Sequence, residues 1–189
     1  MEITSEFSLP LGPDEAYGLL LDLDRVAPCL PGATLGPATE DGSRGLTLTV
    51  RLGPMRFAYD GTISVGSQDA VARRAVLVGG AREKRGQGTA KATISMQVSR
   101  NGDDGATIAS VANIELTGRA AQTGRGIVED VSRQMIDEMA KCLAARCSDE
   151  GAESGLQPIR DVHHAREIRA ARLLSRVVWQ RIRRLLRKR

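Results

Sequence analysis

Side chains that commonly do chemistry are thinly spread in this chain of 189 residues. Histidine first occurs at His163, with His164 beside it. Everything before that point therefore lacks an imidazole for a nucleophile–base pair, a proton shuttle or a metal site. Adjacent histidines point to different sides of a helix, which fits solvated residues better than ligands. Carboxylates pair at Asp22/Asp24 and Asp103/Asp104, in turn or helix-end positions that capping explains before acid–base catalysis does. Gly118–Gly126 is glycine-rich ahead of a helix, as a phosphate loop is, but has no Lys-Ser/Thr pair and the wrong glycine spacing. A strand-to-helix corner needing permissive backbone is the simpler reading. Gly86-Gln87-Gly88 is likewise a loop and no dinucleotide fingerprint. Cys29, Cys142 and Cys147 are odd in number and form no CxxC, so they are read as reduced thiols of a cytosolic protein. We expect no metal, no covalent cofactor and no enzyme activity of the chain's own.

If no side-chain chemistry stands out, the apolar residues become the informative ones. Aromatics make up only 3% of the chain, so the core is built from Leu, Val, Ile, Ala and Met. Met55, Met96, Met135 and Met139 all fall in inward register, for which core filling is the ordinary explanation. Small residues, Ser110 and Ala112, share the inward face of the 106–117 strand. Together with the shortage of rings they leave volume for a ligand.

The elements that must position these residues follow from periodicity. Ile3, Phe7 and Leu9 alternate with polar residues in a first strand, and Asp14 is expected to cap a short helix through Asp22. A second helical piece is broken by Pro28 and turned at Pro31-Gly32. Strands are expected near 34–39, at 44–52, at 55–65 with a bulge at Gly61, and at 70–79, 88–99 and 106–117. Gly79-Gly80 and Asn101–Gly105 read as hairpin connections. From Ile127 to Leu143 the period becomes helical, with Val128, Val131, Met135, Met139 and Cys142 as the apolar stripe. The fold class is α+β: a helix-grip antiparallel sheet of about seven strands wrapped around a long C-terminal helix.

Three stretches in this order carry a resemblance: Leu30-Pro-Gly-Ala33, Leu52-Gly-Pro54 with Tyr59-Asp-Gly61, and Gly118-Arg-Ala-Ala-Gln-Thr-Gly124. Over residues 1–147 the chain resembles the family of the carbon monoxide dehydrogenase G subunit, within the START-like (SRPBCC) superfamily. The resemblance implies an accessory protein that helps bring the molybdenum-containing CO dehydrogenase to the membrane, with a pocket suited to an apolar quinone, menaquinone foremost. Combined with strand register, it places Phe57, Tyr59, Met96, Ile114, Met135 and Met139 around a cavity beside Ala112. Leu30 and Pro31 stand near its mouth, and Tyr59 and Ser110 are the candidate donors to quinone carbonyls.

After residue 147 the composition changes. Residues 148–158 are small and acidic and read as a flexible linker. From Ile159 to the end there are ten arginines and one lysine against Asp161 and Glu167, a charge of +9 that leaves −5 for the rest of a chain whose total is +4. On a helical wheel Leu174, Val178, Ile182 and Leu185 line one face, with Trp179 and Leu186 beside it, and Arg172, Arg176, Arg183 and Arg187 gather opposite. A basic polar face, a flanking Trp and no apolar run long enough to span describe a helix lying in a membrane surface. A groove on a protein partner would also accept it. Nucleic acid fits less well, because phosphate binding does not explain the apolar stripe. We therefore expect a peripheral protein on the inner face of the cytoplasmic membrane. Its partners would be the dehydrogenase, an anionic surface and an isoprenoid quinone. The remaining alternative is a solid docking module that only tethers the enzyme.

Overall fold

Runs of period two become strands, and among the described residues the long run of helical period from Ile127 becomes the element they curl around. The computed structural model describes residues 1–103 and 105–152. Its strands are β1 (Glu2–Leu9), β2 (Ala33–Ala38), β3 (Arg44–Leu52), β4 (Met55–Asp69), β5 (Arg74–Glu83), β6 (Thr89–Asn101) and β7 (Gly105–Leu116). They pair antiparallel in one seven-stranded sheet, ordered β1-β7-β6-β5-β4-β3-β2. Helices α1 (Pro13–Leu21) and α2 (Leu23–Val26) and a 3-10 turn, Ala27–Cys29, separate β1 from β2. A second such turn, Ala121–Thr123, leads into α3 (Arg125–Ala152). This is the helix-grip α+β arrangement expected from the pattern.

Several local expectations are corrected. Asp14 does not cap α1: Gly12 holds that position without a side-chain bond, and Asp14 sits inside the first turn, ion-paired to Arg73. Asp22 caps α2, accepting from the backbone N–H of Asp24 and Arg25, while Asp24 pairs with Arg44. Gly79-Gly80 is not a turn but the middle of β5. Gly61 is not a bulge either, since the register runs through it unbroken and shifts only between Val65 and Ser67. Its need for glycine is steric: a Cβ there would lie 2.0 Å from the Gly80 carbonyl oxygen, so bare backbone lets β4 and β5 approach. At the β7–α3 corner Gly118 has φ +71°, and a Cβ would fall 1.9 Å from Gln87 O.

Helix α3 carries the expected stripe, but its buried face drifts. Val128, Met135, Leu143 and Cys147 are buried, whereas Ile127 is 45% exposed. At about 100° per residue, Leu143 and Cys147 lie roughly 60° and 100° to one side of Val128 and Ile127 lies 100° to the other. The helix also runs on through Ser148–Ala152, into the stretch read as a linker. The rest of that linker, His163, His164, Asp104 and the whole basic segment 159–189 lie outside the described residues.

The cysteine reading is overturned as well. Cys29, in the turn after α2, is disulfide-bonded to Cys142 of α3 across a sequence separation of 113, with the Cα atoms 5.4 Å apart. Sequence spacing carries no trace of this pair. Only the docking of that turn against α3 brings the two together.

Candidate ligand-binding site

Alternation points the inner face of each strand at α3. Along β7 that face is Ile108, Ser110, Ala112, Ile114 and Leu116, and along β4 it includes Phe57, Tyr59, Gly61 and Ile63. The apolar interior beneath the helix is not one block. One cluster gathers Leu9, Tyr17, Leu77, Met96, Val98 and Leu143 around the α1 end, with Met139 and Cys142 packed on it. The other gathers Leu52, Phe57, Tyr59, Ala120 and Val128 around the corner, with Leu48, Val50 and Val131 against it. Between them the concave floor is made of Gly61, Ile63, Gly79 and Ala92, which are only half-buried although they face inward. Helix α3 lies chiefly along edge strand β1 and so leaves this floor thinly covered.

The expected cavity residues are therefore divided. Phe57 and Tyr59 stand together, with ring centroids 6.5 Å apart, in the corner cluster. Met96 and Met139 belong to the other. Ala112 and Met135 are buried and Ile114 half-buried, in neither cluster. Leu30 and Pro31 are half-buried beside Cys29. A cavity of about 340 Å³ opens where β7 meets the start of α3, between Met1, Ile114, Leu116 and Val128, with Glu115, Ala121 and Arg125 at its rim. Of the expected residues it includes Ile114 alone, and neither Leu30 nor Pro31. Its volume lies at the lower end of the range usual for small-molecule sites, roughly 300–1,000 Å³.

The polar groups facing inward are few and specific. Ser110 Oγ lies 2.7 Å from Ser5 Oγ, its register partner on β1. Two hydroxyls in one hydrogen bond leave one O–H still to donate, so the pair keeps a donor for a ligand. Ser5 was legible in the sequence, because it shares the face of Ile3 and Phe7. Tyr59 is only 5% exposed, and no described residue hydrogen-bonds its hydroxyl. Among the described residues no sequestered side-chain polar atom lacks a partner, so that oxygen keeps some accessible surface. Burial raises the Tyr59 pKa, and the charge of Glu83 adds to the effect. At neutral pH it is a neutral phenol and a donor. Glu83, itself 4% exposed, is occupied by the β5–β6 turn, its carboxylate accepting from the N–H of Arg85 and Gln87.

The cavity beside Val128 is lined mainly by apolar residues, and neither Tyr59 nor the Ser5–Ser110 pair is among the residues that line it. Among the described residues there is no group of three or more His, Cys, Asp or Glu placed to hold a metal ion. The family model for the G subunit of carbon monoxide dehydrogenase (CoxG) matches residues 6–148. The chain belongs to that family. Solved structures agree on the START-like fold. A conserved protein from Geobacillus kaustophilus superposes with a TM-score of 0.70 at 17% identity, covering 79% of this chain and 97% of that one. An aromatase/cyclase from Streptomyces sp. R1128 gives 0.59 at 9% identity, covering 82% and 99%. A START superfamily protein from Mycobacterium smegmatis gives 0.52 at 12% identity, covering 79% and 98%. No curated protein matches the chain in sequence. At such identities the structures speak for the fold alone, while membership of the CoxG family ties the chain to carbon monoxide dehydrogenase. No helix among the described residues is long and apolar enough to cross a membrane.

Proposed function

We propose that this CoxG-family protein is a non-catalytic accessory protein of a molybdenum-containing CO dehydrogenase. It binds an isoprenoid quinone, menaquinone, inside the grip and links the enzyme to the quinone pool from the inner face of the cytoplasmic membrane. The observation that carries the reading is the divided interior, two packed clusters with the half-buried Gly61, Ile63, Gly79 and Ala92 between them. A flat apolar ring needs such a slot, and the Tyr59 hydroxyl supplies a donor for one of its carbonyls, while the Ser5–Ser110 pair stands about eight residues away along the strands, too far to reach the same ring. Mass spectrometry of organic extracts from protein purified without detergent should find the quinone in near-stoichiometric amount. Extracts free of any isoprenoid quinone would leave the tether reading. That second reading has its own support, since Phe57, Tyr59 and Met96 are each no more than 8% exposed and packed within the two clusters.

Tyr59→Phe separates the donor role from packing. It removes a hydroxyl that holds nothing in the protein, so stability should stay within about 0.5 kcal/mol. The lost hydrogen bond, worth about 0.5–1.5 kcal/mol, should weaken quinone binding by roughly two- to tenfold in a fluorescence titration. Unchanged affinity would remove Tyr59 from the site.

Membrane attachment is assigned to residues 159–189. Each arginine near an anionic surface contributes ~1 kcal/mol, and the apolar stripe adds burial that salt does not screen. Truncation after Pro158 falls beyond the last described element and should give a folded domain that pellets several-fold less with anionic vesicles at physiological salt. Equal pelleting would end the assignment.

A further inference from the structure

A glycine in the middle of a strand needs a reason, because it leaves the unfolded backbone freer and contributes no packing when folded. Gly79 stands inside β5 on its inward face, paired with Ile63 on β4 and Ala92 on β6. The usual reasons do not apply to it. Its φ is not positive, and the register shift of β4 lies elsewhere, between Val65 and Ser67. Nor is it crowded by a second backbone. Among the described residues outside its chain neighbours, a Cβ there would meet only the Thr62 carbonyl oxygen within 4 Å, at 3.4 Å, which is ordinary contact. Gly61 differs, since its Cβ would strike the Gly80 carbonyl. Above Gly79 the protein brings no side chain to an inward position at the centre of its sheet. The reason left for a glycine in such a place is the close approach of a ligand.

A buried polar group on the same face indicates which part of a ligand would lie there. Tyr59 is 5% exposed, and no described residue hydrogen-bonds its hydroxyl. It precedes Ile63, the partner of Gly79, by four residues on β4, which is about 13 Å along the strand. Exposure of the inward positions rises in that direction. Tyr59 is buried, Gly61 and Ile63 are half-buried, and Val65 is 36% exposed. A quinone ring held at Tyr59 is shorter than this distance, so the part of the ligand that reaches Gly79 is its hydrocarbon chain. Ile63 and Ala92, on either side, are apolar and suit such a chain. We propose that Gly79 is a specificity-determining residue of the grip, and that its missing side chain leaves a track for an isoprenoid chain running from Tyr59 toward Val65. The inference rests on the quinone reading above and adds to it that the chain, not only the ring, is recognised.

The test titrates the full chain with two quinones of the same ring, dimethylnaphthoquinone without a chain and a menaquinone bearing a geranylgeranyl chain, and follows the quenching of protein fluorescence. Gly79→Leu should weaken the long-chain quinone by about tenfold or more, the equivalent of roughly two buried methylenes, and leave the chainless ring within about twofold. The variant should melt at or above the wild-type temperature, because leucine restrains the unfolded chain more than glycine does and has room in the track. Gly79→Ala, whose Cβ the backbone accepts, should show the same preference more weakly, and it serves if leucine is not tolerated. Gly80→Leu is the control. It lies on the outer face with nothing within 4 Å of its Cβ, and both affinities should stay as in the wild type. An equal loss for both quinones, a loss for neither, or the same loss of the long-chain quinone in Gly80→Leu would each overturn the proposal. So would a Gly79→Leu protein that melts several degrees lower, since the space would then be packed. A wild-type chain that binds neither quinone rejects the carrier reading, and this inference with it. Weaker binding of both quinones by Tyr59→Phe, with no effect of Gly79→Leu, upholds that reading and rejects the track alone.

Discussion

Reduction of the Cys29–Cys142 bond is expected to lower the thermal unfolding midpoint by roughly 5–15 °C. The bond joins residues 113 apart in sequence, so it closes a large loop in the unfolded chain and lowers the entropy of the unfolded ensemble. In the chain-entropy account a loop of that size is worth nearly 5 kcal/mol, and measured native disulfides typically give about 2–4. For a domain of this size each kcal/mol moves the midpoint by about 2–4 °C. The structural consequence is local: the bond fastens the turn that leads into Leu30 and Pro31 to the second half of α3. Calorimetry with and without a dithiol reductant measures the effect, and a Cys29→Ser, Cys142→Ser double variant should melt like the reduced protein and ignore the reductant. An oxidised protein that melts no higher than this variant would show that the bond contributes nothing. On the cytoplasmic face proposed above, thiols are kept reduced. There the pair would stand open and the turn would rely on packing alone.

That bond also marks where sequence reasoning ran out. Strand register was legible because burial on one face enforces a period of two, and Leu46, Leu48, Val50 and Leu52 do share the inner face of β3. The stripe of α3 was legible for the same reason at a period near 3.6. Gly79-Gly80 misled because a glycine pair looks like a turn. In the fold Gly80 lies across from Thr62 and its carbonyl crowds Gly61, so the glycines serve a close strand pairing that no local pattern announces. Cys29 and Cys142 are joined by tertiary docking, which spacing cannot encode. The site was the least legible part, because a cavity is where side chains fail to meet. Register showed which residues face inward, yet where α3 rests on β1 decided which of them pack and which stay half-open. The contrast between Met135, buried, and Ala92, half-buried on the floor, follows from that placement rather than from either residue's type.

Replacing Ala112 with leucine should empty the grip of quinone while leaving the fold nearly as stable. Ala112 lies on the inner face of β7, flanked in register by Ile3 on β1 and Ile94 on β6, and is 7% exposed. It belongs to neither packed cluster and neighbours the half-buried Ala92 and Ile114 across and along the sheet. A leucine adds three carbon atoms, which must either enter the hollow or push into packed neighbours. If the space between the clusters is the ligand compartment, the new side chain fills part of it. The midpoint then stays within about 3 °C, and extracts of the variant should hold less than about a tenth of the wild-type quinone, as expected when a slot of this size loses its depth. If the interior is solid, overpacking costs ~1–3 kcal/mol and nothing bound is displaced. Melting temperature and extracted quinone are therefore measured on the same preparation, with Ser110→Ala, which removes the partner of Ser5, as the companion variant. A protein that melts several degrees lower yet keeps its quinone would mean that the ligand sits elsewhere, in the cavity beside Val128 and Arg125, and that Ala112 is packed core.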